Sequence, residues 1–371
     1  MKRILITGGA GFIGSHLADA LLERGYQVRA LDNLAPQVHG PDREVPAYLS
    51  RDVELMVGDV RDRDAVREAL DGVDAVFHFA AAVGVGQSMY EVEHYTSVNN
   101  VGTAVLLEAL IENPVSRLVV ASSMSIYGEG LYRTRAGGTV HDADRTLAQL
   151  KQGHWDPHGD GGEPLSPIAT PETKQPALAS VYALSKFDQE RLCLMTGRAY
   201  KFPAVALRFF NVYGPRQALS NPYTGVLAIF AARLLNERSP LIFEDGNQQR
   251  DFVSVYDIAN ACRLALESKD AAGQVFNIGS GISRTVRSVA RDMAEALGKE
   301  HLAAEITGKY RMGDVRHCFA DITRAKKLLG YEPKVEFRQG LTELAEWLRT
   351  QVASDRVDEM RAELENRGLT V

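Results

Sequence analysis

The segment Gly8-Gly-Ala-Gly11-Phe-Ile-Gly14 most restricts what this chain can become, because of what stands on either side of it. Arg3 to Thr7, ahead of it, is a short apolar run that reads as a buried parallel strand. Behind it, Ser15 to Arg24 carries apolar residues at helical spacing and stops at Gly25. Three glycines at this spacing let a backbone turn tightly and bring a pyrophosphate close to a helix N-terminus. Phe12 and Ile13 open that helix. A second strand, Gln27 to Leu31, ends at Asp32, 18 residues beyond Gly14. A carboxylate there suits the hydroxyls of an adenosine ribose and repels a 2′-phosphate. Asn33, not an arginine, follows it, so the pattern predicts NAD rather than NADP.

The strand–helix alternation continues along the chain. Val53 to Val57 leads into Gly58-Asp59-Val60, with Asp59 placed for an adenine amino group and Val60 beside it. Ala75 to Phe79 is another buried strand, ending in Ala80-Ala81-Ala82, small residues that let a cofactor approach. His78 stands alone inside that apolar strand and reads as a core histidine. Asn99 precedes a helix through Thr103 to Leu110, and Arg117 to Ala121 is the next strand. Repeated βα units predict a doubly wound parallel sheet with ligands at the carboxyl ends of its strands.

Composition removes several functions. The 371 residues, 45% hydrophobic and 24% charged, are enough for a full core and two subdomains. A net charge of -6 argues against a nucleic-acid surface. Cys193, Cys262 and Cys318 are three, widely spaced and in no metal-ligand pattern, which fits reduced thiols of a cytoplasmic protein. The N-terminal apolar run is too short for a signal peptide, and Gly225 to Ala232 is too short to span a bilayer. No metal site is expected: His154, His158 and Asp160 match no standard ligand spacing.

Tyr182-Ala-Leu-Ser-Lys186 is the candidate reaction centre. On a helix the two outer side chains are one turn apart on one face, and an ammonium beside a phenol lowers the phenol pKa. An isolated pair of this kind is as well explained by a surface contact. Its context decides: the strand at Arg117 ends in Ser122-Ser123-Met124-Ser125-Ile126-Tyr127-Gly128, hydroxyls at the sheet's carboxyl edge.

With these motifs in order, and with Arg208-Phe-Phe-Asn211-Val-Tyr-Gly-Pro215 after them, the chain resembles the extended short-chain dehydrogenases/reductases of the nucleotide-sugar epimerase and dehydratase family. The resemblance runs over roughly residues 1–350 and implies a Rossmann-like α/β fold with a smaller α/β substrate-binding domain. It implies residues 1–207 as the NAD-binding domain, with an insertion at 129–178 and a return at 251–275. Residues 208–350 would bind the nucleotide sugar, and the charged stretch 351–371 beyond the match reads as a C-terminal helix or tail. It implies that Ser123 hydrogen-bonds the sugar oxygen, with Ser122 structural. Tyr182 then takes the proton from the sugar 4-hydroxyl, and Lys186 holds the nicotinamide ribose and keeps the tyrosine pKa low. Asn211, Arg250, Arg311 and Asp314 match the residues around the diphosphate and ribose, with Asp251 orienting Arg250. Ser125 joins the substrate set.

Relatives that remove water from C6 carry Asp-Glu after the catalytic hydroxyl. Here Met124 and Ser125 stand in those places and cannot do that acid/base work. The resemblance therefore narrows to C4 epimerisation, and within the family to enzymes acting on dTDP-L-rhamnose. UDP-glucose or UDP-glucuronate epimerases, a UDP-glucuronate decarboxylase, and a non-catalytic NAD-sensing protein are the alternatives. The family further implies a homodimer. The insertion reads as a lid or binding loop, flexible by composition, with a short helix within Thr139 to Gln152.

Overall fold

The computed structural model describes residues 2–218, 225–310, 314–349, 351, 362–363 and 365–370. Its centre is a seven-stranded sheet in which every neighbouring pair is parallel. Across the sheet the strands run Val275–Ile278, Ala204–Phe209, Arg117–Ser123, Ala75–His78, Arg3–Thr7, Gln27–Asp32 and Val53–Val57. The chain builds outward from Arg3–Thr7 to Val53–Val57, then crosses back to place Ala75–His78 on the other side. The topological switch therefore lies between Arg3–Thr7 and Ala75–His78, where open α/β sheets bind ligands.

The strands are apolar on both faces because helices cover both. Ile4 and Ile6, with Val119 and Val205, face the core under helices Phe12–Leu22 and Val255–Glu267. Leu5, Leu118 and Val120 face the opposite core, under Arg63–Leu70, Gly102–Glu112 and Val181–Tyr200. Alternation along a strand sends successive side chains to opposite faces, so one apolar run feeds two cores.

After Phe209 the chain forms a smaller lobe. Strand Asn211–Tyr213 pairs with Gln249–Ser254. Helices Val226–Leu235, Val286–Leu297 and Phe337–Leu348 pack a separate core around Phe230, Phe252, Met293 and Phe337. Helix Val255–Glu267 returns to lie on Phe12–Leu22, with the His16 and Tyr256 rings edge to face at 5.1 Å. The three cysteines are free and buried. Among the described residues no helix is long and apolar enough to cross a membrane.

The insertion is folded, which corrects the expectation of a flexible loop. Strands Thr139–Val140, Leu131–Arg133 and Ser166–Ile168 form an antiparallel sheet, and the short helix expected within Thr139 to Gln152 is Leu147–Lys151. Composition misled because the order comes from long-range ion pairs. Arg316, almost fully buried, takes Asp156 of the insertion at 2.8 Å, together with Glu244 at 2.9 Å and Asp245 at 2.6 Å. Arg145 of the insertion reaches Glu244 at 2.6 Å, the Asp314 carbonyl at 2.8 Å and Glu129 at 3.3 Å. Glu129 accepts from the backbone N–H groups of Arg316 and His317 at 2.7 and 3.2 Å. Buried charges persist only when paired in this way.

Candidate active site

The glycine turn is shaped by what a side chain there would strike. Gly8 has φ +73°, and a Cβ on it would lie 2.9 Å from the Ala80 nitrogen. A Cβ on Gly14 would lie 2.3 Å from the Gly8 carbonyl oxygen, closer than any real contact. Gly14→Ala is therefore expected to push the turn away from the helix N-terminus. NAD content of the purified protein should fall at least tenfold; full NAD occupancy would contradict this reading of the turn. Gly11 begins helix Phe12–Leu22, and Phe12 and Ile13 form its first turn.

Asp32, at the end of its strand, accepts from the Ala10 nitrogen at 3.0 Å and the Leu34 nitrogen at 2.9 Å. The carboxylate thus ties the glycine turn to the next loop while each oxygen keeps a lone pair for a ribose hydroxyl. Asn33 donates its side-chain amide to Asp59 at 3.2 Å. Arg61 forks onto both Asp59 oxygens at 2.8 Å, and this pairing holds the carboxyl at about 2. The adenine role expected of Asp59 would have to be shared with Arg61. Val60 is buried against Gly102, where a Cβ would meet its methyl at 2.7 Å, so it spaces the helix from the loop. Arg43 approaches the carbonyls of Asn33 and Leu34. Its local sequence gave no signal for this placement.

Across the switch point Thr7 Oγ1 accepts from the nitrogens of Phe79 and Ala80, both at 3.2 Å, and so fixes the strand end that carries Ala80 and Ala81. Asn99, fully buried, accepts from the Ala82 nitrogen at 2.7 Å and donates to the Ala82 carbonyl at 3.1 Å and Ser185 Oγ at 2.9 Å.

Tyr182 and Lys186 lie on helix Val181–Tyr200, capped by Ser180 Oγ accepting from the Ala183 nitrogen at 3.1 Å. Ser88 Oγ accepts from the Tyr182 nitrogen at 3.0 Å, and the Tyr95 ring meets Tyr182 edge to face at 6.4 Å. Ser123 lies beside the phenol and favours its ionised form. Ser123 Oγ also receives Ser125 Oγ at 2.9 Å and the Ser125 nitrogen at 3.2 Å. Ser122 points to the other face and donates to Glu190 at 2.7 Å.

Two expectations change here. Burial pushes the Tyr182 phenol up from 10, and Ser123 opposes that rise. The Lys186 ammonium is turned to Gln189 Oε1 at 2.5 Å. Burial pushes that ammonium down to about 8. Asp251 does not orient Arg250. It is fully buried and accepts from Ser280 N and Oγ, both at 2.7 Å, from the Gly281 nitrogen at 2.9 Å, and from the Ala320 nitrogen at 3.2 Å.

Arg250 instead donates to the carbonyls of Gln249 at 3.0 Å, Arg316 at 2.9 Å and Val315, and to Asp314 Oδ1 at 3.4 Å. Asn211, half-buried on strand Asn211–Tyr213, has a buried side-chain oxygen with no hydrogen-bond partner among the described residues. Arg311 lies outside the described residues. Sequence reasoning missed Arg145, which reaches this region from the insertion through the Asp314 carbonyl. Arg145→Met should lower unfolding stability by about 2 kcal/mol, since Glu244 keeps Arg316 as a partner. It should also weaken nucleotide-sugar binding while NAD content stays constant; the opposite pattern, read by denaturant titration and calorimetry, would contradict this placement.

A glycine cradle at a helix N-terminus, an acid at the end of the next strand, and a Ser–Tyr–Lys group at the same sheet edge together define a dinucleotide-using enzyme. The chain belongs to the NAD dependent epimerase/dehydratase family, whose model matches residues 4–147 and 156–279. It is similar to dTDP-L-rhamnose 4-epimerase of Burkholderia thailandensis, 36% identical over 356 residues, covering 95% of this chain and 96% of that one. The fold is similar to UDP-glucose 4-epimerase of Thermotoga maritima, solved with UDP-glucose: TM-score 0.75, 32% identity, covering 94% and 98% of the two chains. It is also similar to the Thermus thermophilus UDP-glucose 4-epimerase solved with NAD, with TM-score 0.74, 32% identity and coverage of 94% and 100%. The protein is an enzyme of this family and works with NAD.

Proposed function

We propose that the protein inverts C4 of a nucleotide-activated sugar, interconverting dTDP-L-rhamnose and dTDP-6-deoxy-L-talose through a transient 4-keto sugar. The observation that carries the C4 reading is the placing of Ser123 beside the Tyr182 phenol at the carboxyl edge of the sheet. The nearest following side chains are Met124, packed against the core, and Ser125, bonded to Ser123. Neither offers the second acid/base pair that dehydration needs. The choice of sugar rests on the likeness to the Burkholderia protein and is a separate step.

In this reading residues 1–207, with 251–275, hold the cofactor and 208–350 hold the nucleotide sugar. The residues around the dinucleotide would be Gly8, Gly11, Phe12, Ile13, Gly14, Asp32, Asn33, Asp59, Val60, Ala80, Ala81 and Asn99, with Tyr182 and Lys186 at the nicotinamide end. When bound, NAD would supply the acceptor and donor of the C4 hydride, and its oxidised ring would add a positive charge that favours a nearby phenolate. Tyr182 accepts the proton of the 4-hydroxyl and later returns it, and Ser123 donates to the oxygen as its carbonyl character grows. Lys186 supplies the fixed positive charge of the site. Ser125, Asn211, Arg250, Arg311 and Asp314 would bind the substrate. The insertion acts as a fixed brace for that half rather than a loose lid.

A second copy of the chain is the partner proposed for the apolar face around Val101, Leu184 and Met195, each exposed by about half. Leu184 and Met195 are eleven residues apart, three helical turns, and so share a face. Light scattering should give twice the chain mass.

The test of function is a substrate panel of dTDP-L-rhamnose, dTDP-glucose, UDP-glucose and UDP-glucuronate, with C4 configuration read from NMR couplings. Inversion of dTDP-L-rhamnose is expected. Inversion of a different sugar alone would replace the substrate, and no inversion with active controls would remove the C4 reading.

A further inference from the structure

Behind Lys186 lies a cluster of buried polar groups that the proposed reaction does not use. Lys186 Nζ donates to Gln189 Oε1 at 2.5 Å, and Gln189 is fully buried. Gln189 Nε2 is 2.9 Å from Thr103 Oγ1 and 3.2 Å from His78 Nε2. His78, also fully buried, lies 2.8 Å from Thr7 Oγ1 through Nδ1 and 2.8 Å from Thr103 Oγ1 through Nε2.

The donors and acceptors leave one consistent arrangement. Thr7 Oγ1 has both lone pairs taken by the nitrogens of Phe79 and Ala80, so its proton goes to His78 Nδ1. His78 is then the neutral tautomer with its proton on Nε2, which it donates to Thr103 Oγ1. The Thr103 proton goes to the Asn99 carbonyl at 2.5 Å. Thr103 thus accepts twice, from His78 and from the Gln189 amide, and the 3.2 Å approach of Gln189 Nε2 to His78 Nε2 is between two donors that share one acceptor. With its NH₂ group committed to Thr103, Gln189 can present only its carbonyl oxygen to Lys186.

We propose that Gln189 is the positioning residue for Lys186: Thr103 fixes the amide, and the amide holds the lysine as a directed ammonium. The claim rests on the reading of Tyr182 and Lys186 as the reaction centre. A buried ammonium without an acceptor bears the full cost of desolvation, so this bond keeps the lysine charged at neutral pH. The titratable groups facing Lys186 are His78 from the strand and Cys193 from its own helix. Burial pushes His78 down to about 3 and the Cys193 thiol up to about 12, so both stay neutral. Tyr182 is a neutral phenol, and Glu190 on the far side is paired with Arg208 at 2.6 Å. Gln189 is therefore the acceptor that the described residues give this ammonium.

The test is a ¹⁵N-lysine NMR titration of Lys186 Nζ in the purified, NAD-bearing protein, assigned with Lys186→Met. Gln189→Met removes the acceptor and should lower the titration midpoint by about one pH unit, as for loss of one charge-assisted hydrogen bond. Gln189→Glu puts a carboxylate there and should raise it. Thr103→Val frees the amide to turn and should lower it by less. The alkaline limb of kcat, measured with whichever sugar turns over, should move the same way, because activity is lost as the ammonium deprotonates. Packing alone predicts no opposed shifts. An unmoved midpoint in folded Gln189→Met or Thr103→Val protein overturns the proposal. So does a midpoint that falls in Gln189→Glu, which keeps the test open should the methionine variant not fold. Tyr182→Phe in the same series separates the two claims: if it turns over normally, the reaction-centre reading fails instead.

Discussion

Tyr182→Phe should lose about 10³-fold in kcat while its KM and bound NAD stay near the parent values, since general acid/base transfer contributes about 10²- to 10⁴-fold. Phenylalanine keeps the ring that meets Tyr95 and removes only the hydroxyl beside Ser123. Steady-state kinetics with the best sugar of the panel, together with the cofactor absorbance of the denatured supernatant, checks it. Activity within tenfold of the parent would mean that some other group moves the proton. The raised phenol adds a direction in pH. A base that must ionise from above its ordinary value loses rate as pH falls, so the parent's kcat should drop on the acid side more than that of an enzyme with an unshifted phenol and a fixed ammonium alongside.

Arg208→Met should cost about 3–5 kcal/mol of unfolding free energy, the range for stranding one half of a buried ion pair. Arg208 donates Nε and Nη2 to the two oxygens of Glu190 at 2.9 and 2.6 Å, and Nη1 to Tyr127 Oη at 2.8 Å. Glu190 is almost fully buried, so among the described residues the carboxylate left behind has only Ser122 as a donor. Pairing the change with Glu190→Gln should recover part of the loss by removing the stranded charge. A urea midpoint unchanged in the single variant would show that the pair contributes nothing. Because Glu190 follows Lys186 by one helical turn, the same bond holds the reaction-centre helix against strands Arg117–Ser123 and Ala204–Phe209. NAD content should therefore fall together with stability.

The parts of this site that were readable from the chain are those whose chemistry is local. The glycine turn, Asp32 and the Tyr182–Lys186 spacing each follow from residues within one strand–turn–helix unit or one helical turn. The strands were readable for a related reason: Leu118, Val119 and Val120 are apolar in succession because both faces of a covered parallel sheet must be. The errors came where partners are far apart. Nothing near Arg145 announces that Glu244 and Asp314 will face it, 99 and 169 positions away. The insertion's glycines and prolines therefore read as a loose loop. Asp251 beside Arg250 reads as its partner, but alternation along strand Gln249–Ser254 turns adjacent side chains to opposite faces.

Lys186 shows the same division at the centre of the site. Its helix and its distance from Tyr182 were determined by the sequence alone, because 3.6 residues per turn places positions 182 and 186 on one face. Which way its ammonium points was not. That was decided by Thr7, His78 and Thr103, brought from two strands and another helix into a buried space, where each hydroxyl and amide must find a partner. Hydrogen-bond direction in a buried cluster is a property of the assembled group. The tertiary structure therefore turned a predicted Tyr–Lys pair into a Tyr–Ser contact on one side and a Lys–Gln contact on the other.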